Sequence, residues 1–227
     1  MGALLTMAFC RSALPETLAP FSSPQGLTPW TATYLPSVER RTIFQIVEDD
    51  GQRVLRVTVD RSAGSLVTAV PPSQRGASSL RWRWRLPAHN PLSDPRTKKG
   101  DDFPLRLYVL FDYDVHKLGF VDRTKLTIAH RLYGEHLPAA ALCYVWDPAL
   151  TAGTSIWNAF TDRVRMIVVR SGGQDLGRWV GEQRDVRRDF RQAFGEEAPP
   201  IKGIAVAGDA DNSGGASVGF MGDIWLE

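Results

Sequence analysis

Apolar and polar residues alternate along most of this chain, and the alternation is sharpest in "SLRWRWRL". There Leu80, Trp82, Trp84 and Leu86 fall on one face, and Arg81, Arg83 and Arg85 on the other. A period of two marks a half-buried strand. "TIFQIVEDDGQRVLRVTV" places two β-rich runs around Asp50-Gly51, a two-residue hairpin signal. Further strands are predicted in "SLVTAV", "FPLRLYVLFDYD", "AAALCYVWD", "RVRMIVVRSG", "GRWVGEQRDV", "IKGIAVAGD" and "SVGFMGDIWL". Two stretches have helical character. Leu126, Ala129 and Leu132 predict a helix near 122–133, and "RRDFRQAFG" predicts one near 186–195 that packs through Phe190 and Phe194 and stops at Gly195.

Many short strands with helices only in the connections predict an all-β chain. The expected form is a two-layer antiparallel β-sandwich of jelly-roll, galactose-binding-like type with two short connecting helices. The expected organisation is a terminal segment over 1–17 and one domain over 18–227. "MGALLTMAFC" has an apolar run with no basic residue ahead of it, and reads as a degraded or truncated secretory leader or as a flexible terminus. Residues 18–40 are rich in Pro, Ser and Thr and read as an extended strap anchored by Trp30. Of the two cysteines, Cys10 lies in the leader-like start, and Cys143 in "AALCYVW" reads as a small buried hydrophobe.

Charge narrows the function. With 27 basic and 25 acidic residues the net charge is +2, too balanced for bulk attraction to nucleic acid. No segment has the length of a transmembrane helix. There is no G-x-S-x-G, P-loop or dinucleotide fingerprint. His89, His116, His130 and His136 lack metal-ligand spacing and are expected at the surface.

Three constellations carry candidate chemistry. In "DADNSGG", Asp209, Asp211, Ser213 and Gly214 match the opening of an EF-hand loop, but the twelfth position is Phe220 rather than a bidentate glutamate, and strands flank the loop. The loop therefore reads first as a strand connection whose Asp, Asn and Gly satisfy their own backbone, with Asp211 and Asn212 available to a ligand. A calcium held by Asp209 and Asp211 is the other reading. In "GDDFPLRLYVLF", Asp101 and Asp102 point to opposite faces if extended, which disfavours paired-carboxylate catalysis and suggests an Asp102–Arg106 pair. The third constellation is an arginine face of Arg81, Arg83, Arg85, Arg106 and Arg165. If their strands are neighbours, Tyr108, Tyr144 and Trp146 join them, and the face suits anionic sugars through bidentate arginine contacts and ring stacking. The alternative is an ordinary exposed sheet face with its arginines paired to Asp112, Asp162 and Asp223. Asn158, Thr161, Asp162 and Arg163 read first as turn chemistry plus a salt bridge, the other reading being a ligand-accessible polar cluster at a sheet rim.

The ordered set "LRWRWRL", "KKGDDFPLRLYVLFDYD", "PAAALCYVWD", "NAFTDRVRMIVVRSG", "GRWVGEQRDVRRDFRQAFGEEAPPIKGIAVAGDADNSGG" and "GDIW" resembles the bacterial domain-of-unknown-function family 3047. The resemblance runs from about Phe21 to Leu226. It implies a periplasmic or cell-envelope location, because members usually carry a secretory leader. The family more often has "DTDNTGE" where this chain has "DADNSGG". In outline the family is similar to jelly-roll carbohydrate-binding modules, in which a closing strand carries an aspartate, as "FMGDIWL" does here. The expectation is therefore a non-catalytic envelope domain that binds a carbohydrate or another polar, anionic ligand. The alternatives are an accessory subunit docking on another envelope protein and, third, a glycan-acting hydrolase using Asp102, Asp162 or Asp209.

Overall fold

A computed structural model describes residues 17–119, 123 and 139–227. Their strands are β1 (Thr31–Thr33), β2 (Ile43–Asp49), β3 (Gln52–Asp60), β4 (Ala63–Ala69), β5 (Ser79–Arg85), β6 (Arg106–Phe111), β7 (Ala141–Asp147), β8 (Ser155–Asn158), β9 (Thr161–Ser171), β10 (Val180–Asp185), β11 (Ile201–Asp209) and β12 (Ala216–Leu226). They form two sheets. One has seven strands in the order β1-β4-β11-β6-β7-β9-β8, and the other five in the order β10-β5-β12-β3-β2. The described residues are mostly β-strand, with few helices.

The two sheets face one another across one core. Trp82 and Trp84 of β5 are almost fully buried, and the Trp82 ring stacks on Tyr144 of β7 with centroids 5.3 Å apart. Trp84 tilts against Trp146 at 6.2 Å. Leu55 and Val57 of β3, Met221 and Ile224 of β12, Leu107 and Val109 of β6, and Ile204 and Val206 of β11 complete the cluster. At Gly208 the sheets come so close that a Cβ would lie 2.8 Å from a Val57 methyl. The hairpin forms where the Asp50-Gly51 signal placed it. Both residues have positive φ, 50° and 70°, as a tight β2–β3 turn requires.

One feature differs from expectation. The sheets are not wholly antiparallel, because β7 and β9 run parallel. After β7 the chain crosses to the outer edge, forms β8, and turns back into β9 between them. Strand β7 is buried along its whole length, with Cys143 and Val145 in a second apolar cluster on the outer face of the seven-stranded sheet. Burial on both faces explains why "ALCYVW" lacks a polar alternation. Burial also pushes the Cys143 thiol up to about 12, which leaves it inert as a nucleophile. Among the described residues there is one α-helix, α1 (Val186–Phe194), besides three short 3-10 turns. The helix expected near 122–133, together with His130, His136 and Cys10, lies outside the described residues. No helix of the described residues is long and apolar enough to cross a membrane.

Helix α1 starts at Asp185, whose side chain accepts from the Arg188 N–H, and ends at Gly195 in the left-handed region. Its inner face is tied to both sheets through buried Asp189. That carboxylate accepts from the Tyr144 hydroxyl at 2.9 Å and from Arg184 at 2.9 and 2.7 Å. Asp189→Ala should therefore leave a buried hydroxyl and a half-buried guanidinium unpaired, costing about 3 kcal/mol. Tyr144→Phe removes only one donor and should cost about 1 kcal/mol. Urea denaturation of both variants checks the order, and equal losses would mean that Asp189 does not act as the hub.

Candidate functional site

The "DADNSGG" loop joins β11 to β12 and sits against the outer face of the seven-stranded sheet. Alternation along β11 turns Ile204, Val206 and Gly208 inward and Asp209 outward, where buried Arg106 of β6 meets it. Arg106 donates to both Asp209 oxygens, at 3.0 and 2.6 Å, and to Asp101 at 2.7 Å. Asn158 donates to the other Asp101 oxygen at 2.6 Å. The expected Asp102–Arg106 pair is absent, and Asp101 and Asp209 hold the arginine. Asp102 is instead the latch of the loop. It accepts from the Asn212 backbone and side chain at 3.3 and 3.1 Å, and from the Ser213 N–H. Asn90 fixes the Ser213 hydroxyl at 3.0 Å.

Carboxylate oxygens of Asp102, Asp209 and Asp211 lie within 4.8 Å of one another. Both oxygens of Asp102 and of Asp209 already accept hydrogen bonds, which leaves Asp211 as the least committed of the three. The Arg106 guanidinium and the Asn212 and Ser213 N–H groups supply the donors that face the cluster. Burial, Asp101 and the remaining acids oppose ionisation here. Burial is the main cause that raises Asp209 to about 7, with Arg106 pulling the other way. Burial followed by the Asp102 charge raises Asp211.

The arginine face divides. Arg81, Arg83 and Arg85 lie on the outer face of the five-stranded sheet, opposite the buried tryptophans. Arg106 and Tyr108 belong to the other sheet, with Tyr108 half-buried and beside Cys143. Tyr144 and Trp146 cannot contact a ligand on either outer face, because both are fully buried between the sheets. Their alternation with Cys143 and Val145 does not reveal direction, since all four are apolar or aromatic. The expected partners also differ: Arg81 pairs with Glu227, Arg85 with Asp49, and Arg83 with neutral Gln52. Asp162 is exposed at the start of β9, and Arg163 turns to the other face, so they form no cluster. His89 is half-buried, and its ring packs edge-on to Trp146 at 5.7 Å.

A groove of about 470 Å3 opens on the five-stranded face, lined by Ser22, Gln52, Arg53, Arg83, Asp223 and Trp225. A bulge in β12 creates it. Met221 pairs with Trp84 and Ile224 with Trp82, so Gly222 and Asp223 together oppose Arg83. The extra residue turns Asp223 and Trp225 outward while keeping Met221 and Ile224 in the core. Pairing of β12 with β3 ends at Met221, and the strap enters beside it. Ser22 donates its N–H and hydroxyl to Asp223 at 2.9 and 2.5 Å, and Leu18 donates to the Ile224 carbonyl at 2.8 Å. Arg83 crosses Gly222, where a Cβ would lie 2.6 Å from its Cγ and Nε, and stacks over Trp179 at 4.6 Å. Arg53 donates to the Ser23 carbonyl at 2.8 Å. Sequence reasoning missed Arg53, Gln52, Trp179 and Trp225. The alternation of Asp223 and Trp225 in "GDIWL" was the available signal, whereas Ser22 had none.

The family described as "Protein of unknown function (DUF3047)" matches residues 28–225. The chain belongs to this family. No curated protein matches the DUF3047 chain. Among solved structures it is similar to the family 11 carbohydrate-binding module of a cellulosomal cellulase of Clostridium thermocellum, with 9% identity, 95% of each chain covered and a TM-score of 0.43. It is also similar to the K3 adhesin domain of Lys-gingipain from Porphyromonas gingivalis, with 10% identity, 95% of this chain and 98% of that one covered, and a TM-score of 0.41. A third similar structure is a carbohydrate-binding module with specific mannan recognition, with 11% identity, coverage of 91% and 92%, and a TM-score of 0.37.

The acidic cluster of this DUF3047 chain makes a prediction of its own. A raised carboxyl binds its proton more tightly in the folded than in the unfolded state. Its contribution is complete below the unfolded value of about 3.9 and is lost as pH rises through the folded value. For Asp209 that value is about 7. The urea midpoint of the wild type should therefore fall relative to that of Asp209→Asn between about pH 4 and about pH 8. A flat difference across that window would mean that Arg106 keeps Asp209 ionised throughout.

Proposed function

We propose that this chain is a non-catalytic binding domain of jelly-roll type that takes a polar, anion-bearing saccharide in the groove over the β12 bulge. One observation carries the reading: Arg53 and Arg83 line the groove and are held by neutral acceptors, the Ser23 carbonyl and Gln52. Among the described residues, neither positive charge is cancelled by a carboxylate in contact. Asp223, the acid in the groove, already accepts two bonds from Ser22. The lining thus keeps a net positive charge and offers guanidinium donors to a carboxylate, which they bind with fork geometry. Trp225 supplies an aromatic surface for the apolar C–H face of a sugar ring, and Gln52 supplies amide hydrogen bonds to hydroxyls. A cell-envelope location is part of the proposal and follows the leaders usual in the family.

The docking-subunit alternative has one observation in its favour. A second groove of about 350 Å3, lined by Leu27, Trp30, Tyr34, Phe44 and Leu66, lies beside Ile43, which is 53% exposed. A single exposed aliphatic is ordinary on a soluble surface, so the charged groove ranks first.

Calorimetric titration of the full chain with tetragalacturonate and with neutral cellotetraose tests the proposal. The acidic sugar should bind more tightly, and Arg83→Ala should weaken it about tenfold or more. Gly222→Ala should weaken it comparably, because the new methyl takes the space that Arg83 crosses. Equal affinity for both sugars, or an unchanged Arg83→Ala, would sink the anionic-saccharide reading.

A further inference from the structure

The seven-stranded sheet is wider than its partner, and the inner faces of its last two strands, β9 and β8, extend towards its open edge. Arg163 and Arg165 share the face of core residue Ile167, and Trp157 pairs with Arg165 across the ladder. Their side chains stack in a continuous series. Arg163 lies 4.8 Å from the Tyr113 ring centroid and 5.5 Å from that of Phe194. Phe194 meets Trp157 edge-on at 5.3 Å, and Arg165 lies 4.7 Å from the Trp157 centroid. Trp157 remains 37% exposed.

Both arginines are held by neutral acceptors. Arg163 Nε donates to the Ala139 carbonyl at 2.6 Å, while its Nη2 is buried without a hydrogen-bond partner. Arg165 Nε and Nη2 donate to the Ser155 hydroxyl and carbonyl, at 2.7 and 2.9 Å. Among the described residues, the acid that touches the series is Glu196, which accepts from the Tyr113 hydroxyl at 2.7 Å. The ledge therefore holds two guanidinium charges that its own sheet fixes in place without pairing them to a carboxylate. Guanidinium groups with spare donors and an adjoining exposed indole suit a ligand that carries both a carboxylate and a flat apolar face.

We infer that the Tyr113–Arg163–Phe194–Trp157–Arg165 ledge is a second site for a carboxylated oligosaccharide of the uronic-acid class. The carboxylate bridges the spare donors of Arg163 and Arg165, and the C–H face of a sugar ring packs on Trp157. The ledge belongs to the seven-stranded sheet and shares no residue with the groove. This inference does not depend on the groove reading.

Counting equivalents of tetragalacturonate bound by the full chain at low ionic strength tests it. Two equivalents are expected in the wild type, one in Arg165→Gln, one in Arg83→Ala and none in the double variant. Trp157→Ala, at an exposed position, should remove the same equivalent as Arg165→Gln. Arg165→Lys, which keeps the charge but not the fork, should weaken that equivalent about tenfold. Unchanged unfolding midpoints establish that the variants fold. Two equivalents retained in both Arg165→Gln and Trp157→Ala would overturn the inference. So would a single wild-type equivalent lost only in Arg83→Ala, which leaves the groove standing alone. A single equivalent lost only in Arg165→Gln supports the ledge and removes the groove. No binding by the wild type overturns both. Tighter binding of polyglutamate than of tetragalacturonate at the ledge would replace the saccharide by an acidic peptide and also overturn it.

Discussion

Burial of Trp82 and Trp84 against Tyr144 and Trp146 is the contact on which the arrangement of the chain depends. Four large rings from two strands occupy the space between the sheets, and few other placements would exclude water from so much aromatic surface. Because side chains alternate along a strand, fixing the tryptophans inward fixes Arg81, Arg83 and Arg85 outward. A one-residue slip in β5 would bury three guanidinium groups and expose two indoles, so the register is strongly determined. The charged outer face is thus a consequence of core packing and needs no separate cause.

The bulge in β12 adds a local exception to that rule. Without it, continuous alternation from Met221 would turn Asp223 into the core and Ile224 out of it. Inserting Gly222 lets Met221 and Ile224 both stay buried while Asp223 faces the strap. Glycine suits the position because Arg83 lies directly over it. The same irregularity ends the pairing of β12 with β3 and admits residues 17–23 alongside, with Asp223 binding Ser22. One inserted residue therefore opens the groove, turns an acid into it and anchors the strap that forms its wall.

Much of the fold was legible in the sequence because its signals are local. The β5 alternation, the Asp50-Gly51 turn and the capped helix ending at Gly195 each depend on neighbouring residues. The parallel β7–β9 pairing was not legible, because strand direction depends on the path of residues 148–160 across the sheet edge. The site was legible only in part. Arg83 could be placed outward from the alternation of β5, whereas Asp223 entered as a possible arginine partner and as the closing-strand aspartate that the resemblance implied. Tyr144 and Trp146 could not be oriented, since β7 is apolar on both faces and its pattern lacks a period. Arg106 was expected both on the arginine face and in a pair with Asp102. What buries it is the pair Asp101 and Asp209, one of them more than a hundred residues away in sequence.

Arg106 also shows how to sort the arginines of this chain. Arg106, Arg170 and Arg184 each contact one or more carboxylates and stitch elements together, and their charge is spent within the fold. Arg53, Arg83, Arg163 and Arg165 are oriented by carbonyl, hydroxyl or amide oxygens. Such acceptors orient a guanidinium but do not neutralise it. A held, uncancelled cation loses little side-chain entropy when an anion arrives, which is the gain from pre-organisation. Near-equal totals of acid and base therefore conceal an uneven distribution. Asp101, Asp102, Asp209 and Asp211 gather around Arg106 and the "DADNSGG" latch, whereas Arg53, Arg83, Arg163 and Arg165 lie on sheet surfaces beside partly exposed aromatic rings.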